Sequence, residues 1–372
     1  MSRMILTLCA CLMLFGCDSA DVSYPQRAVL HLSSMDSWTD AILAEAARAD
    51  LIIMPTERIC SPMNSERIAR MTELNPKAAF VGYLPLLNAN VPRSDTTYMR
   101  RHVPFALDYY KETRPFWAFS TSGDTLMQWP DMPMLNPIHD DAVDVEQIDI
   151  IVGLLARYKA RYRLDGVLLD YFTTEPMLLR PRVEGEIDFD GNGVLWAQDA
   201  QERAVFYEYQ IAFATALRER FGDDFIVIGN GRPPQEDGAC AALLNGIMFE
   251  DYPGSPWGWT PKDGFLKMMY CQKPGWNAPA RGRTWSVLVN YRSTATDMSF
   301  YSSLLAGCFF TDLQGSYRFT GWTRWLETGK PLASAAAVSD DYALTVSRAF
   351  ERGTARVRFF GGALAYARWE TK

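Results

Sequence analysis

Gly166-Val-Leu-Leu-Asp170-Tyr171-Phe172 decides the fold, and Gly246-Ile-Met-Phe-Glu250-Asp251-Tyr252 repeats its plan further along the chain. A short, unbroken apolar run opened by Gly reads as a strand buried on both faces, the habit of parallel strands in α/β proteins. An acidic residue closing such a strand is costly unless it faces a polar cleft. In a (β/α)8 barrel the carboxyl ends of the strands line that cleft, and chemistry sits there. Two carboxylates from different strands are the minimum equipment for breaking a glycosidic bond.

Six more strand-like runs flank these two, at Arg27–Ser33, Asp50–Met54, Ala78–Leu84, Phe225–Gly229, Trp285–Asn290 and Gly307–Thr311. Helical periodicity fills several of the gaps. Ile148, Ile151, Val152, Leu155 and Tyr158 share one helix face before the fourth strand. Val205, Tyr209, Ala212, Phe213, Ala216 and Leu217 do the same before the fifth, with Gly222 as a stop. Eight strands alternating with helices indicate a parallel (β/α)8 TIM barrel, with an open sheet as the alternative if one strand assignment fails. Pro85 to Asp144 and Thr173 to Gln198 are too long for turns and mark cleft-building loops after strands three and four. Beyond Gly329-Lys330-Pro331, the runs Tyr342–Phe350, Thr354–Phe360 and Ala363–Trp369 predict a small C-terminal antiparallel β appendage. The expected organisation is a leader over 1–17, a barrel over 27–325 and the β appendage over 331–372.

Across one barrel mouth, Asp170 at the end of strand four would act as nucleophile or water-activating base. Glu250 at the end of strand six would act as general acid, its apolar neighbours Ile247-Met-Phe249 favouring the proton-bearing form. Asp251 competes for that role, since adjacent strand residues point to opposite sides. The bland alternative has these acids capping helices or pairing with Arg. Asp165, before its strand, belongs to the opposite end, where acids serve stability. Other strand ends supply amides, rings and an acid for a sugar: His31, Tyr83, Tyr171, Asn230, Tyr252, Asn290-Tyr291 and Asp312. Trp257 and Trp259 follow strand six, and Trp117 and Trp129 lie in the third loop. Each Trp alone reads as packing, but together they favour carbohydrate.

The loop after strand four carries Asp188-Phe-Asp190-Gly-Asn192-Gly193-Val194-Leu-Trp-Ala-Gln-Asp199. Oxygens at the first, third, fifth and twelfth places, with Gly at the sixth, follow a calcium-binding loop, Val194 lending its carbonyl. The pattern is similar to EF-hand loops, and more so to dockerin loops, which also close on Asp. An Asp/Asn/Gly turn leading into an N-capped helix fits the same letters. The ion would be structural, bracing the loop beside Asp170, and no cofactor is expected for the chemistry.

With 372 residues, 48% hydrophobic and 13% aromatic, the chain is an ordinary globular protein rich in rings. A net charge of −7 and the lack of a basic stripe argue against nucleic acid. The three His form no HExxH, and neither GxSxG nor a P-loop occurs, so metalloprotease, serine-hydrolase and nucleotide chemistry lack their parts. Arg3 and the apolar run Met4 to Phe15 read as a signal peptide, too short for a membrane span. Leu14-Phe15-Gly16-Cys17 resembles a bacterial lipobox, with Cys17 the lipidated residue, although a plain secretory signal is the alternative. Asp18 resembles an inner-membrane retention signal, so the expected address is the extracytoplasmic cell envelope, at the periplasmic face of the inner membrane in a Gram-negative host. Cys60, Cys240, Cys271 and Cys308 leave room for one or two disulfides, with Cys308 inside an apolar run and open to simple burial.

Asp165-Gly-Val-Leu-Leu-Asp170-Tyr, Ile228-Gly-Asn230-Gly, Gly246-Ile-Met-Phe-Glu250-Asp-Tyr and Gly307-Cys-Phe-Phe-Thr-Asp312 together resemble the hypothetical glycoside hydrolase-like family fifteen of bacterial barrels. That family is a distant relative of the α-galactosidase and endo-polygalactosaminidase superfamily. Trp117-Ala-Phe-Ser-Thr-Ser-Gly123-Asp-Thr, ending at Met134-Leu-Asn136-Pro, is similar to the family's third-loop insert. The resemblance spans roughly residues 27 to 325. It implies a glycoside hydrolase with the nucleophile at the end of strand four and the acid/base at the end of strand six, positions that fall on Asp170 and Glu250. A departure is the Glu-Asp pair at the sixth strand. A non-catalytic glycan binder or a structural envelope lipoprotein on the same barrel is the competing expectation.

Overall fold

Eight parallel strands form one sheet in the order of the chain: β1 Ala28–Leu30, β2 Leu51–Pro55, β3 Ala79–Pro85, β4 Gly166–Asp170, β5 Ile226–Gly229, β6 Gly246–Glu250, β7 Val287–Asn290 and β8 Phe309–Asp312. This computed structural model describes residues 24–91, 96–173, 187–231, 238–253, 260–272, 276–290, 296–313, 318–322, 326–339 and 342–372. A parallel bridge between Arg27 and Phe310, with the Phe310 amide donating to the Gln26 carbonyl at 3.0 Å, brings β8 back to β1. The sheet is therefore a nearly closed (β/α)8 barrel.

Alternation along each strand sorts the side chains. Ala28, Leu30, Leu51, Ile53, Ala79, Val81, Leu168, Ile226, Ile228, Met248, Val287, Val289 and Phe309 fill the interior. Their neighbours Val29, Ile52, Phe80, Val167, Leu169, Val227, Ile247, Leu288 and Phe310 face the helices and join a second, larger core. Strands buried on both faces have no polar alternate positions, which is why each reads as one apolar run.

The helices that pack this outer face include α1 Asp40–Ala46, α2 Ser65–Leu74, α4 Pro104–Thr113, α5 Val145–Lys159, α6 Ala200–Phe221, α7 Pro261–Cys271 and α8 Thr296–Ala306, while α3 Thr96–His102 packs on α4 through Met99. In α5 the buried stripe contains Ile148, Ile151, Val152, Leu155 and Tyr158, as the spacing indicates. In α6 it contains Val205, Tyr209, Phe213 and Leu217. The insert after β3 holds α3, α4 and two small hairpins, Met127–Trp129 with Met132–Pro133 and Ile138–His139 with Ala142–Val143.

The C-terminal appendage is an antiparallel sheet of four strands, one more than the sequence indicates: β9 Ala336–Ser339, β10 Ala343–Phe350, β11 Gly353–Phe360 and β12 Ala363–Thr371. Ala336–Ser339 is a short, exposed edge strand, too weakly patterned to announce itself. The appendage rests on the barrel helices: the Phe359 ring lies 5.3 Å from that of Phe265 in α7, and Arg348 donates to the Leu304 carbonyl of α8 at 3.3 Å.

Cys60, Cys240, Cys271 and Cys308 are all buried, and no disulfide joins cysteines among the described residues, so none of the one or two expected forms there. The bottom of the barrel is fastened by Asp165. Its carboxylate accepts the Phe80 amide and the Arg281 guanidinium, each at 2.9 Å, and Arg163 at 3.2 Å. Burial opposes its ionisation, but these donors hold its carboxyl below the ordinary value. Among the described residues no helix is long and apolar enough to cross a membrane.

Candidate active site

Inward positions alternate from the first residue of each strand, so Gly166, Leu168 and Asp170 point into the barrel, as do Gly246, Met248 and Glu250. Both acids close their strands and emerge at the same mouth. Tyr83 on β3 is on the inward register, and its hydroxyl donates a hydrogen bond to Asp170 Oδ2. Asn230 follows β5. Its amide donates to the Leu169 carbonyl at 2.9 Å and its carbonyl accepts the Phe172 amide at 3.0 Å, which stitches it to the end of β4.

From that fixed place Asn230 Nδ2 donates to Asp170 Oδ1 at 2.8 Å and reaches Glu250 Oε2 at 3.3 Å. The two acid oxygens therefore lie no more than about 6 Å apart, near enough to act on one glycosidic bond. Asp170 is buried, with a donor on each oxygen. Burial pushes its carboxyl up to about 6, and the neighbouring Glu250 charge adds to the push, while the bonds from Tyr83 and Asn230 pull against it. At neutral pH it is mainly ionised. The Tyr83 hydroxyl is pushed well above its ordinary value by burial and by the Asp170 charge, so it stays a donor.

Each acid is followed by a non-glycine residue in the left-handed region, Tyr171 at φ +59° and Asp251 at φ +54°. For a residue as bulky as Tyr, this conformation costs on the order of 1–2 kcal/mol. The two kinks turn the chain away directly after the carboxylates. Trp129 of the insert returns to this point, its indole N–H donating to the Tyr171 hydroxyl at 2.6 Å. Asp251 is buried, and its amide donates to the Val289 carbonyl at 2.6 Å.

The structure does not bring every expected residue to the mouth. His31 follows inward Leu30 and so faces away from the interior, its ring 4.8 Å from that of Trp38. Its Nε2 donates to the Ser34 carbonyl at 3.0 Å, its Nδ1 accepts the Phe319 amide at 3.1 Å, and burial holds it below its ordinary pKa. Asn290 follows inward Val289 and donates to Ser299 Oγ of α8 at 3.1 Å. Tyr252, past the kink, is buried in the outer core with its hydroxyl on the Pro261 carbonyl at 2.8 Å. Trp117 packs on Tyr110 and under Arg114, at the side of the insert. For the strand residues the reason is common: a one-residue step along a strand reverses the side a residue faces. Asp312 pairs with Asn290 in the sheet, while its side chain, like Trp257, Trp259, Tyr291 and Cys17, lies outside the described residues.

The acidic loop after β4 is a tight turn. Asp188 accepts the amides of Asn192 and Gly193 at 3.1 and 2.9 Å, and Asn192 Nδ2 donates to Asp190 and Asp199 at 2.9 and 2.8 Å. Gly191 and Gly193 take φ of +71° and +83°, which the turn requires. Asp199 is the N-cap of α6, accepting the amides of Gln201 and Glu202 at 2.9 and 3.0 Å. The third carboxylate at the turn is Glu202, absent from the expected set. Burial and the charges of Asp190, Asp188 and Asp199 push it up to about 7. Its signal was legible as a capping box, Asp199-x-x-Glu202. The loop is tied to the insert by a Ser120–Ile187 bridge and by Asn136 Nδ2 on the Phe189 carbonyl at 2.8 Å.

No family model and no curated protein matches the sequence. Among solved structures, the chain is similar to the GH36 α-galactosidase AgaB of Geobacillus stearothermophilus, at 8% identity and a TM-score of 0.46, over 86% of this chain and 44% of that one. A GH31 sulfoquinovosidase of E. rectale gives 10% identity and a TM-score of 0.47, over 80% of this chain and 44% of that one. A GH18 chitinase of Chromobacterium violaceum gives 11% identity and a TM-score of 0.33, over 61% and 36%. This chain spans less than half the length of each of these three proteins.

Proposed function

We propose that this protein is a glycoside hydrolase that cleaves an extracytoplasmic polysaccharide or oligosaccharide by double displacement, with Asp170 as nucleophile and Glu250 as acid/base. The observation that carries the reading is the pair of strand-end carboxylates bridged by one amide nitrogen, at 2.8 and 3.3 Å. Asp170 suits attack because Tyr83 and Asn230 orient both of its oxygens and favour the charged form. Glu250, on the opposite side of Asn230 and less buried, is placed to protonate the leaving oxygen and then to activate water. The inward hydroxyl of Tyr83 and the Trp129–Tyr171 pair supply polar and aromatic surface for a sugar ring.

The test is a screen of envelope and extracellular polysaccharides for new reducing ends. The parent releases them, and Glu250→Gln slows release by about a hundredfold or more, since a positioned acid/base contributes ~10²–10⁴. Added azide should restore part of the Glu250→Gln rate by attacking the glycosyl-enzyme without base assistance. Cleavage that survives both Glu250→Gln and Asp170→Asn sinks the site assignment. Glycan retained without cleavage would favour a binding protein instead.

We also propose that Cys17 carries a lipid that holds the protein on the extracytoplasmic side of a membrane, supported by the run Met4 to Phe15 followed by Gly16-Cys17. Cys17→Ser should move the protein from the membrane to the soluble fraction. Unchanged membrane fractionation counts against the anchor.

A further inference from the structure

We infer that Asp188, Asp190 and Glu202 hold a calcium ion that clamps the loop after β4 onto helix α6. One carboxylate oxygen from each of the three lies within 4.8 Å of the others. Three oxygens so placed sit within about 2.8 Å of a common centre, and a small contraction brings them to the 2.3–2.6 Å of calcium–oxygen bonds.

The independent observation is Glu202 itself. It is 1% exposed, its Oε1 accepts the Phe189 amide, and its Oε2 is buried with no hydrogen-bond partner among the described residues. A carboxylate oxygen taken out of water with no donor, on a residue grouped with two more carboxylates, is costly unless a cation completes it. Every donor in the set is an oxygen and the set holds neither Cys nor His, which points to a hard cation rather than zinc or copper. Magnesium demands 2.0–2.1 Å and near-ideal octahedral geometry, a larger collapse of these oxygens than calcium requires.

The donor set departs from the linear loop pattern. Asp199, at the closing place, has one oxygen on the amides of Gln201 and Glu202 and the other on Asn192 Nδ2. Glu202, one helical turn later, takes the closing role. The ion would thus bind two loop residues and one helix residue, and through Asn136 and Ser120 it would stiffen the insert that carries Trp129. The inference does not depend on the glycosidase reading.

The test is the melting temperature of full-length protein freed of metal by chelator and dialysis, then given calcium chloride. At about 100 times the dissociation constant, calcium raises the melting temperature by about 4 °C. Terbium gives sensitised emission excited through Trp196 in the same loop, and calcium displaces it. Glu202→Gln, which keeps an acceptor for the Phe189 amide, loses both responses. So does Asp188→Asn/Asp190→Asn, whose changes lie at the loop surface. Identical melting in chelator and in calcium with no terbium emission overturns the site. Undiminished calcium affinity in Glu202→Gln overturns its role as ligand. A magnesium response equal to that of calcium overturns the choice of ion.

Discussion

Asp170→Asn is expected to lower the hydrolytic rate by about a thousandfold or more and, at pH 8, to melt higher than the parent. The rate loss follows from removing the group placed to attack, because binding and the remaining acid cannot replace a nucleophile. The stability gain follows from burial. The Asp170 carboxyl is pushed up to about 6 in the fold, against an unfolded value near 4, so the folded state takes up its proton first. Ionised Asp170 therefore costs stability above about pH 6, and the cost disappears as the pH falls below the unfolded value. An Asn accepts the Asn230 amide through Oδ1 and donates through Nδ2 to the Tyr83 oxygen, with no charge to desolvate. The gap is about 1–3 kcal/mol at pH 8 and closes by about pH 4. The same protonation gives the parent an acid limb in kcat/KM near pH 6. Melting curves of both proteins at pH 8 and pH 4.5 check this. A variant no more stable than the parent at pH 8 would falsify the burial argument.

The second large effect lies at the other end of the two acid-bearing strands. Gly166→Ala or Gly246→Ala should cost about 4 kcal/mol or more and leave the protein insoluble or unfolded. A Cβ at Gly166 would stand 2.2 Å from the Ile226 carbonyl oxygen on the neighbouring β5. At Gly246 it would stand 2.3 Å from the Trp285 carbonyl carbon and 2.4 Å from the Ser286 amide nitrogen. Both clashes are with backbone that belongs to the barrel wall and cannot turn aside as a side chain would. Expression and circular dichroism of each variant provide the check. A soluble Gly246→Ala with parental melting would contradict the close approach of β6 to the segment before β7.

The barrel was legible because strands buried on both faces leave unbroken apolar runs, and β6 matches its run residue for residue. Asp170 and Glu250 were legible as well, since a carboxylate closing such a run is costly to bury unless it opens onto a polar cleft. Tyr252 leaves the mouth because the chain kinks at Asp251, whereas His31 and Asn290 face away from the interior for a shared reason. Being near a strand end says nothing about inward or outward register, and the register is set by which residues the neighbouring strands place in the interior. Leu30 and Val289 occupy it, so His31 and Asn290 cannot.

The amino-acid order alone determined the elements, their parallel arrangement and the presence of two acids at one end, because these follow from local pattern and short-range chain geometry. Only the tertiary structure decided the pairing of those acids. Asn230 bridges them from a third strand, and its position depends on backbone bonds to Leu169 and Phe172 far from it in sequence. The structure likewise sets Glu202 beside Asp188 and Asp190 at the acidic loop, since a helix brings residues one turn apart to the same face while a linear spacing rule counts only letters.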